Sequence, residues 1–254
     1  MVRHGLASAN LIAGLLIATY VAAHAGQPRA ILELFTSQGC SSCPEADKLL
    51  GELAGDPSIV ALSLPIDYWD YLGWKDTLAS PGHSARQRAY ARVRGDRQVY
   101  TPQIVVNGST HVLGSDPAAI ERAITQTERN AAIMSVPVLL SVGGRNLNVK
   151  VASTEKAHVA GEVWLCPLAK SVPVEIGRGE NNGRTVTYHN VVRRWLKLGD
   201  WNGTESTWSV PVANIETEDV DAAAVMVQEG NREKPGIIVG AALAPVEGLT
   251  TGER

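Results

Sequence analysis

The chain has 254 residues, of which 44% are hydrophobic and 19% charged, and its net charge is −3. That balance excludes a disordered chain, and the length allows a sizeable core without disulfide staples. No basic surplus points to nucleic acid or to an anionic membrane as a partner.

The N-terminus reads as an export leader. Arg3 and His4 precede an apolar stretch from Leu6 to Val21, and Ala23-His24-Ala25 fits a small-x-small cleavage site. The stretch is short for a membrane span and is broken by Ser8, Asn10 and Thr19. Residues 1–25 are therefore expected to be a signal peptide. The mature protein should be periplasmic or secreted, in a compartment that permits disulfides, with no membrane contact after cleavage.

Residues 30–36 read as a buried strand, and Ser37-Gln38-Gly39 as a turn. A helix follows over Ser42–Leu53, with Ala46, Leu49, Leu50 and Leu53 on one face and Pro44 in the first turn. Residues 59–66 form a second strand, parallel to the first through a right-handed crossover. The aromatic stretch Asp67 to Trp74 has no clean period and reads as a loop, with a helix after it from Ser84 to Val93. Ile104–Val106 is a strand, Asn107-Gly108 a hairpin signal, and Thr110–Leu113 the return strand. Asp116 caps and Pro117 opens a last helix that runs to about Arg129.

From about Met134 the helical periods give way to short apolar runs separated by turn signals such as Gly143-Gly144 and Asn181-Asn182-Gly183. The runs expected as strands include Val136–Val142, His158–Leu165 and Arg184–Leu198. The organisation expected is an α/β thioredoxin-like domain over 26–133, a central mixed sheet flanked by helices, followed by an all-β, antiparallel sandwich-like domain over 134–254.

Three cysteines are present: Cys40, Cys43 and Cys166. A bridge between Cys40 and Cys43 closes so short a loop that it hardly restricts the unfolded chain. Reactivity explains such a pair better than stapling does. Cys40 stands where the first strand turns into a helix, and free amides and the helix dipole there stabilise a thiolate. Cys40 is the expected nucleophile and Cys43 the resolving thiol. Thr101-Pro102, just ahead of the third strand, is expected to be a cis bond beside the pair, with Thr101 positioned to meet an extended substrate.

Glu33 interrupts an apolar strand. It is a candidate to move the Cys43 proton from beneath the thiols, unless it pairs with an arginine or faces solvent at a sheet edge. Ser41 and Ser42, with Tyr68, Trp69 and Trp74 from the aromatic loop, are the candidate substrate groove. The aromatic residues have a second reading, as packing for the following helix or for the domain interface. His83 is either a surface or capping residue or a metal ligand beside the thiols. Cys166, in an apolar strand, reads as a buried and inert thiol. The loop Arg178–Arg184 reads as a solvated turn, with anion binding or docking against the first domain as the alternative.

A family resemblance adds to these readings. The stretch from Glu33 to Pro44 is similar to the signature of an exported bacterial family catalogued as domain of unknown function twelve twenty-three. Asp67 to Asp76, Tyr100-Thr101-Pro102-Gln103, Val105 to Gly108, Arg178-Gly179-Glu180-Asn181 and Asn190-Val191-Val192-Arg193 resemble its further hallmarks. The resemblance implies a thioredoxin-like fold and names no substrate. The function expected is thiol-disulfide exchange by Cys40 and Cys43, with a protein or small-molecule thiol or disulfide and a redox partner, and without a cofactor. The other classes are a thiolate site for Cu(I) delivery and a non-catalytic adaptor.

Overall fold

The computed structural model describes residues 27–155, 160–215 and 219–246. The expected leader, residues 1–25, lies outside the described residues, as does the start of the strand expected from His158.

The first half runs β1 (Ala30–Thr36), α1 (Pro44–Leu53), β2 (Ile59–Pro65), α2 (Pro81–Arg94), β3 (Gln103–Val106), β4 (Thr110–Leu113) and α3 (Pro117–Thr127). β1 pairs with β2 in parallel and with β3 antiparallel, and β3 pairs antiparallel with β4. The turn between β3 and β4 takes three residues, 107–109, one more than the two-residue loop expected, with Asn107 and Gly108 at positive φ, 52° and 66°. A Cβ on Gly108 would also lie 2.4 Å from the Gly236 carbonyl oxygen, so only glycine fits. α2 begins at Pro81, earlier than the apolar period suggests. Ser80 caps it by accepting from the Gly82 N–H, and proline suits the first turn.

The second half contributes β5 (Val138–Gly143), β6 (Asn146–Val151), β7 (Gly161–Glu175), β8 (Thr185–Val192), β9 (Leu196–Trp201), β10 (Ser206–Pro211), β11 (Ala222–Asn231) and β12 (Lys234–Pro245). β7 runs straight through Cys166-Pro167, well past the expected end at Leu165. The long strand expected over Arg184–Leu198 is two strands, β8 and β9, broken at Arg193-Arg194-Trp195.

The molecule is a mixed α/β structure with a large mixed sheet and few helices. β12-β11-β7-β8-β2-β1-β3-β4 form one sheet, with β9 on β7, while β10-β6-β5 form a second, three-stranded sheet. The seam is a parallel bridge of Ser63 in β2 to Val191 in β8. β5 and β6 cover one face of β7, β11 and β12 through Leu147, Val149, Val163 and Val225. One layer of that packing is not separate from the first half, because its strands extend the first half's sheet. The residue 133 boundary falls in turns between α3 and β5, and the sheet crosses it.

Side chains alternate across a strand, so β1 presents two faces. Leu32 and Leu34 meet Ala46 and Leu50 of α1. Ile31 and Phe35 face the other way and join Tyr90 of α2, Trp164 and Cys166 of β7 and Met226 of β11 in one core.

Candidate functional site

Cys40 and Cys43 are disulfide-bonded at the junction of β1 and α1. Cys43 is the N-cap of α1 and is fully buried, while Cys40 keeps 6% exposure, so Cys40 offers the sulfur an incoming thiolate can reach. Ser42 places its hydroxyl 3.4 Å from Cys40 Sγ, where it can donate to a thiolate. The Thr101–Pro102 bond is cis. Thr101 lies across a groove of about 200 Å3 over Cys40, which Gly39 to Ser42, Trp69, Leu72, Thr101 and Glu180 line.

The turn is held from behind. Gln38 N–H donates to Asp76 Oδ2 at 2.8 Å, and Gln38 Oε1 accepts from Trp74 Nε1 at 2.8 Å. Asn181, 1% exposed, donates through Nδ2 to the Gln38 carbonyl at 3.0 Å and to the Cys40 carbonyl at 2.8 Å. Glu180 Oε2 accepts from the Ser41 N–H at 3.3 Å. The loop expected to be a solvated turn is therefore docked on the disulfide turn, and two of its side chains belong to the site. The available signal was the Arg178-Gly179-Glu180-Asn181 stretch among the family-like motifs, since composition alone does not separate a docked polar loop from a solvated one.

Of the aromatic candidates, Trp69 is a wall of the groove and donates from Nε1 to Thr101 Oγ1 at 2.8 Å. Tyr68 and Trp74 do not line it. Tyr68 turns toward α2 and donates to Gln87 Oε1 at 3.1 Å, and burial pushes its pKa to about 12. Trp74 supports Gln38 and packs against Gly177 and Gly179 of the docked loop.

Glu33 is not beneath the thiols. It shares the β1 face of Ile31 and Phe35, opposite α1, and is fully buried against Arg86. Arg86 Nε donates to Glu33 Oε1 at 2.5 Å and Nη2 to Oε2 at 3.1 Å, while Tyr90 Oη donates to Oε2 at 2.6 Å. The arginine partner weighed from the sequence is the one present, because a buried carboxylate needs a cation and donors of this kind.

The buried carboxyl on the thiol side is Asp47. It follows Cys43 by one helical turn, with its N–H on the Cys43 carbonyl at 3.0 Å, and it is 2% exposed. Loss of water raises its pKa to about 8. The nearby Thr36 hydroxyl offsets part of this without closing a hydrogen bond, and Asp76 adds repulsion. Neither Asp47 oxygen has a partner among the described residues, and Thr36 Oγ1 and Ser63 Oγ are likewise unpaired. Burial thus favours the protonated carboxyl, one helical turn on from Cys43. Asp76, buried and repelled by Asp70, is raised to about 6 despite its backbone donors. The signal for Asp47 was present: an acidic residue four positions after Cys43 lies on the same face of the helix.

His83 is neither exposed nor beside the thiols. It is 1% exposed with Nδ1 2.9 Å from the Pro65 carbonyl oxygen, and burial lowers its pKa to about 4. Cys166 is fully buried, which pushes its thiol pKa far up. Among the described residues no three His, Cys, Asp or Glu side chains are grouped to hold a metal.

Fold and site together define a mixed α/β protein with a CxxC disulfide at a strand-to-helix turn. The chain belongs to the family described as Protein of unknown function (DUF1223), whose family model matches residues 31–228. It is similar to the crystal structure of protein AGR_C_4864 from Agrobacterium tumefaciens, a structural-genomics target, at 31% identity and a TM-score of 0.77. The match covers 86% of this chain and 94% of that one. No curated protein matches it.

Proposed function

We propose that this is an exported, thioredoxin-like thiol-disulfide oxidoreductase acting through Cys40 and Cys43. The observation that carries the reading is the pairing of a reachable Cys40 with a fully buried Cys43 in a disulfide at the head of α1. The β2-β1-β3-β4 order, with β1 central and the thiols at its end, supports the thioredoxin-like assignment of residues 26–133. The cis bond at Pro102, across the groove, fits the same assignment. The Leu6–Val21 stretch and Ala23-His24-Ala25 support export to the periplasm or the medium.

The exchange proceeds by two displacements. A substrate thiolate attacks Cys40 Sγ, the Cys40–Cys43 bond breaks, and Cys43 leaves as a thiolate. Asp47, one helical turn on and favoured in its protonated form by burial, is the candidate proton source. The second substrate thiol, as its thiolate, then attacks the substrate sulfur bonded to Cys40. The substrate becomes a disulfide, and two electrons and two protons pass to the protein. Starting from the dithiol form, the same steps run in reverse on a substrate disulfide.

The rate of alkylation of Cys40 in the reduced protein, followed against pH, tests this. A Cys40 midpoint clearly below the ordinary thiol value of about 8.5 is expected. A midpoint at or above that value contradicts the reading.

A further inference from the structure

Among the described residues, one charged side chain lines the groove over Cys40, Glu180, and it comes from the second half of the chain. Glu180 is exposed, yet its backbone is fixed. Its neighbour Asn181 is anchored on the Gln38 and Cys40 carbonyls, which holds the carboxylate beside the residue that follows the reacting sulfur. Only Oε2 has a partner among the described residues, the Ser41 N–H at 3.3 Å. Among the described residues, neither Arg178 nor Arg184 of the same loop pairs with it. The groove's aromatic lining is Trp69, and Tyr71, outside the lining, lies 6.1 Å from it by ring centroids and is 76% exposed. A carboxylate and a half-buried indole lining one groove suit an ammonium or guanidinium group, which gains from both.

We propose that Glu180 sets the specificity of the exchange site. The substrate class is then a protein or peptide whose reacting cysteine is flanked by lysine or arginine. This rests on the exchange reading above. In the reducing direction the Cys40 thiolate attacks one sulfur of a peptide disulfide, forms a mixed disulfide and expels the other peptide as a thiolate. Cys43 then attacks Cys40 Sγ, remakes the intramolecular bond and releases the second peptide. Two electrons pass from the protein dithiol to the peptide disulfide, and the two thiol protons end on the released thiols. The peptide's cation rests beside Glu180 and Trp69 while the mixed disulfide exists.

The test uses the reduced full-length mature protein and three symmetric peptide disulfides that differ only in the residue after cysteine: Lys, Gln or Glu. Released peptide thiol is followed by chromatography. An exposed charge pair predicts a rate constant about two- to fivefold higher for Lys than for Gln, with Glu slowest. The preference should shrink in high salt. Glu180→Gln should erase the ratio between the Lys and Glu peptides, and Glu180→Lys should invert it, in variants whose thermal unfolding matches the parent. A merely structural hold on Ser41 would not move that ratio. Equal rates for all three peptides, or an unchanged ratio in Glu180→Gln, overturn the proposal while leaving exchange intact. No exchange with any peptide overturns the exchange reading, and this proposal with it.

Discussion

A carboxyl with a pKa near 8 changes charge in the pH range where thiols also begin to ionise. Asp47 is such a group because burial without a hydrogen-bonding partner penalises its anion. Its pKa is raised on folding from 3.8, so the folded state holds a proton that the unfolded chain has lost. The stability linked to that proton is complete below about pH 4, falls as pH rises toward about 8, and is level above it, at up to about 1.4 kcal/mol per pH unit. Asp76 adds a smaller slope of the same sign that ends near pH 6. Asp47→Asn should therefore leave the slope below about pH 6 partly in place and flatten it from there to about 8. Urea unfolding midpoints across pH would show this, and an unaltered slope in that window would contradict the assignment.

Among elements, the Glu33–Arg86 pair ties three together. β1 supplies the acid and α2 the base, and β11 joins through Gln228, whose Oε1 accepts from Arg86 Nη2 at 2.9 Å. Trp195 lies with its ring 4.3 Å from the guanidinium. Removing one partner leaves a buried charge alone, so Glu33→Ala should cost about 3–5 kcal/mol in equilibrium unfolding. The Cys40–Cys43 reduction potential of that variant should stay at the parental value, since the pair lies on the far face of β1. A shifted potential with stability preserved would return Glu33 to the thiol site. The strand Ala30–Thr36 was legible as buried because seven residues in a row suit a central strand, but its two faces look alike in such a run. Nothing in the composition tells which side of the sheet Glu33 faces. The hairpin at Asn107-Gly108 and the cap at Asp116 were legible because their chemistry is local: Asp116 accepts from the Ala119 N–H at 2.9 Å. The break between β8 and β9 was not, because Arg193-Arg194-Trp195 carries no turn residue.

At the scale of the whole molecule, the second half completes both the sheet and the site. β8 joins β2, the Gly108 turn sits on β12, and Asn181 and Glu180 reach the disulfide turn. Long-range pairing of this kind leaves no periodic mark in a sequence, so the strands were legible and their continuity with the first sheet was not. The Cys40–Cys43 spacing was legible because its chemistry depends on three adjacent peptide units and a helix start. What the far loop adds is the Glu180 carboxylate on the Ser41 N–H and the Asn181 clasp on the Cys40 carbonyl, both within the disulfide turn. The proposed function requires the Cys40–Cys43 pair, in the intact chain, to be redox-active. Equilibration of the protein in glutathione buffers, with the oxidised fraction read by thiol trapping, measures it directly. A single reversible two-electron transition between about −120 and −270 mV is predicted, as for disulfides that exchange. A potential below about −300 mV, the range of structural disulfides, would contradict the account.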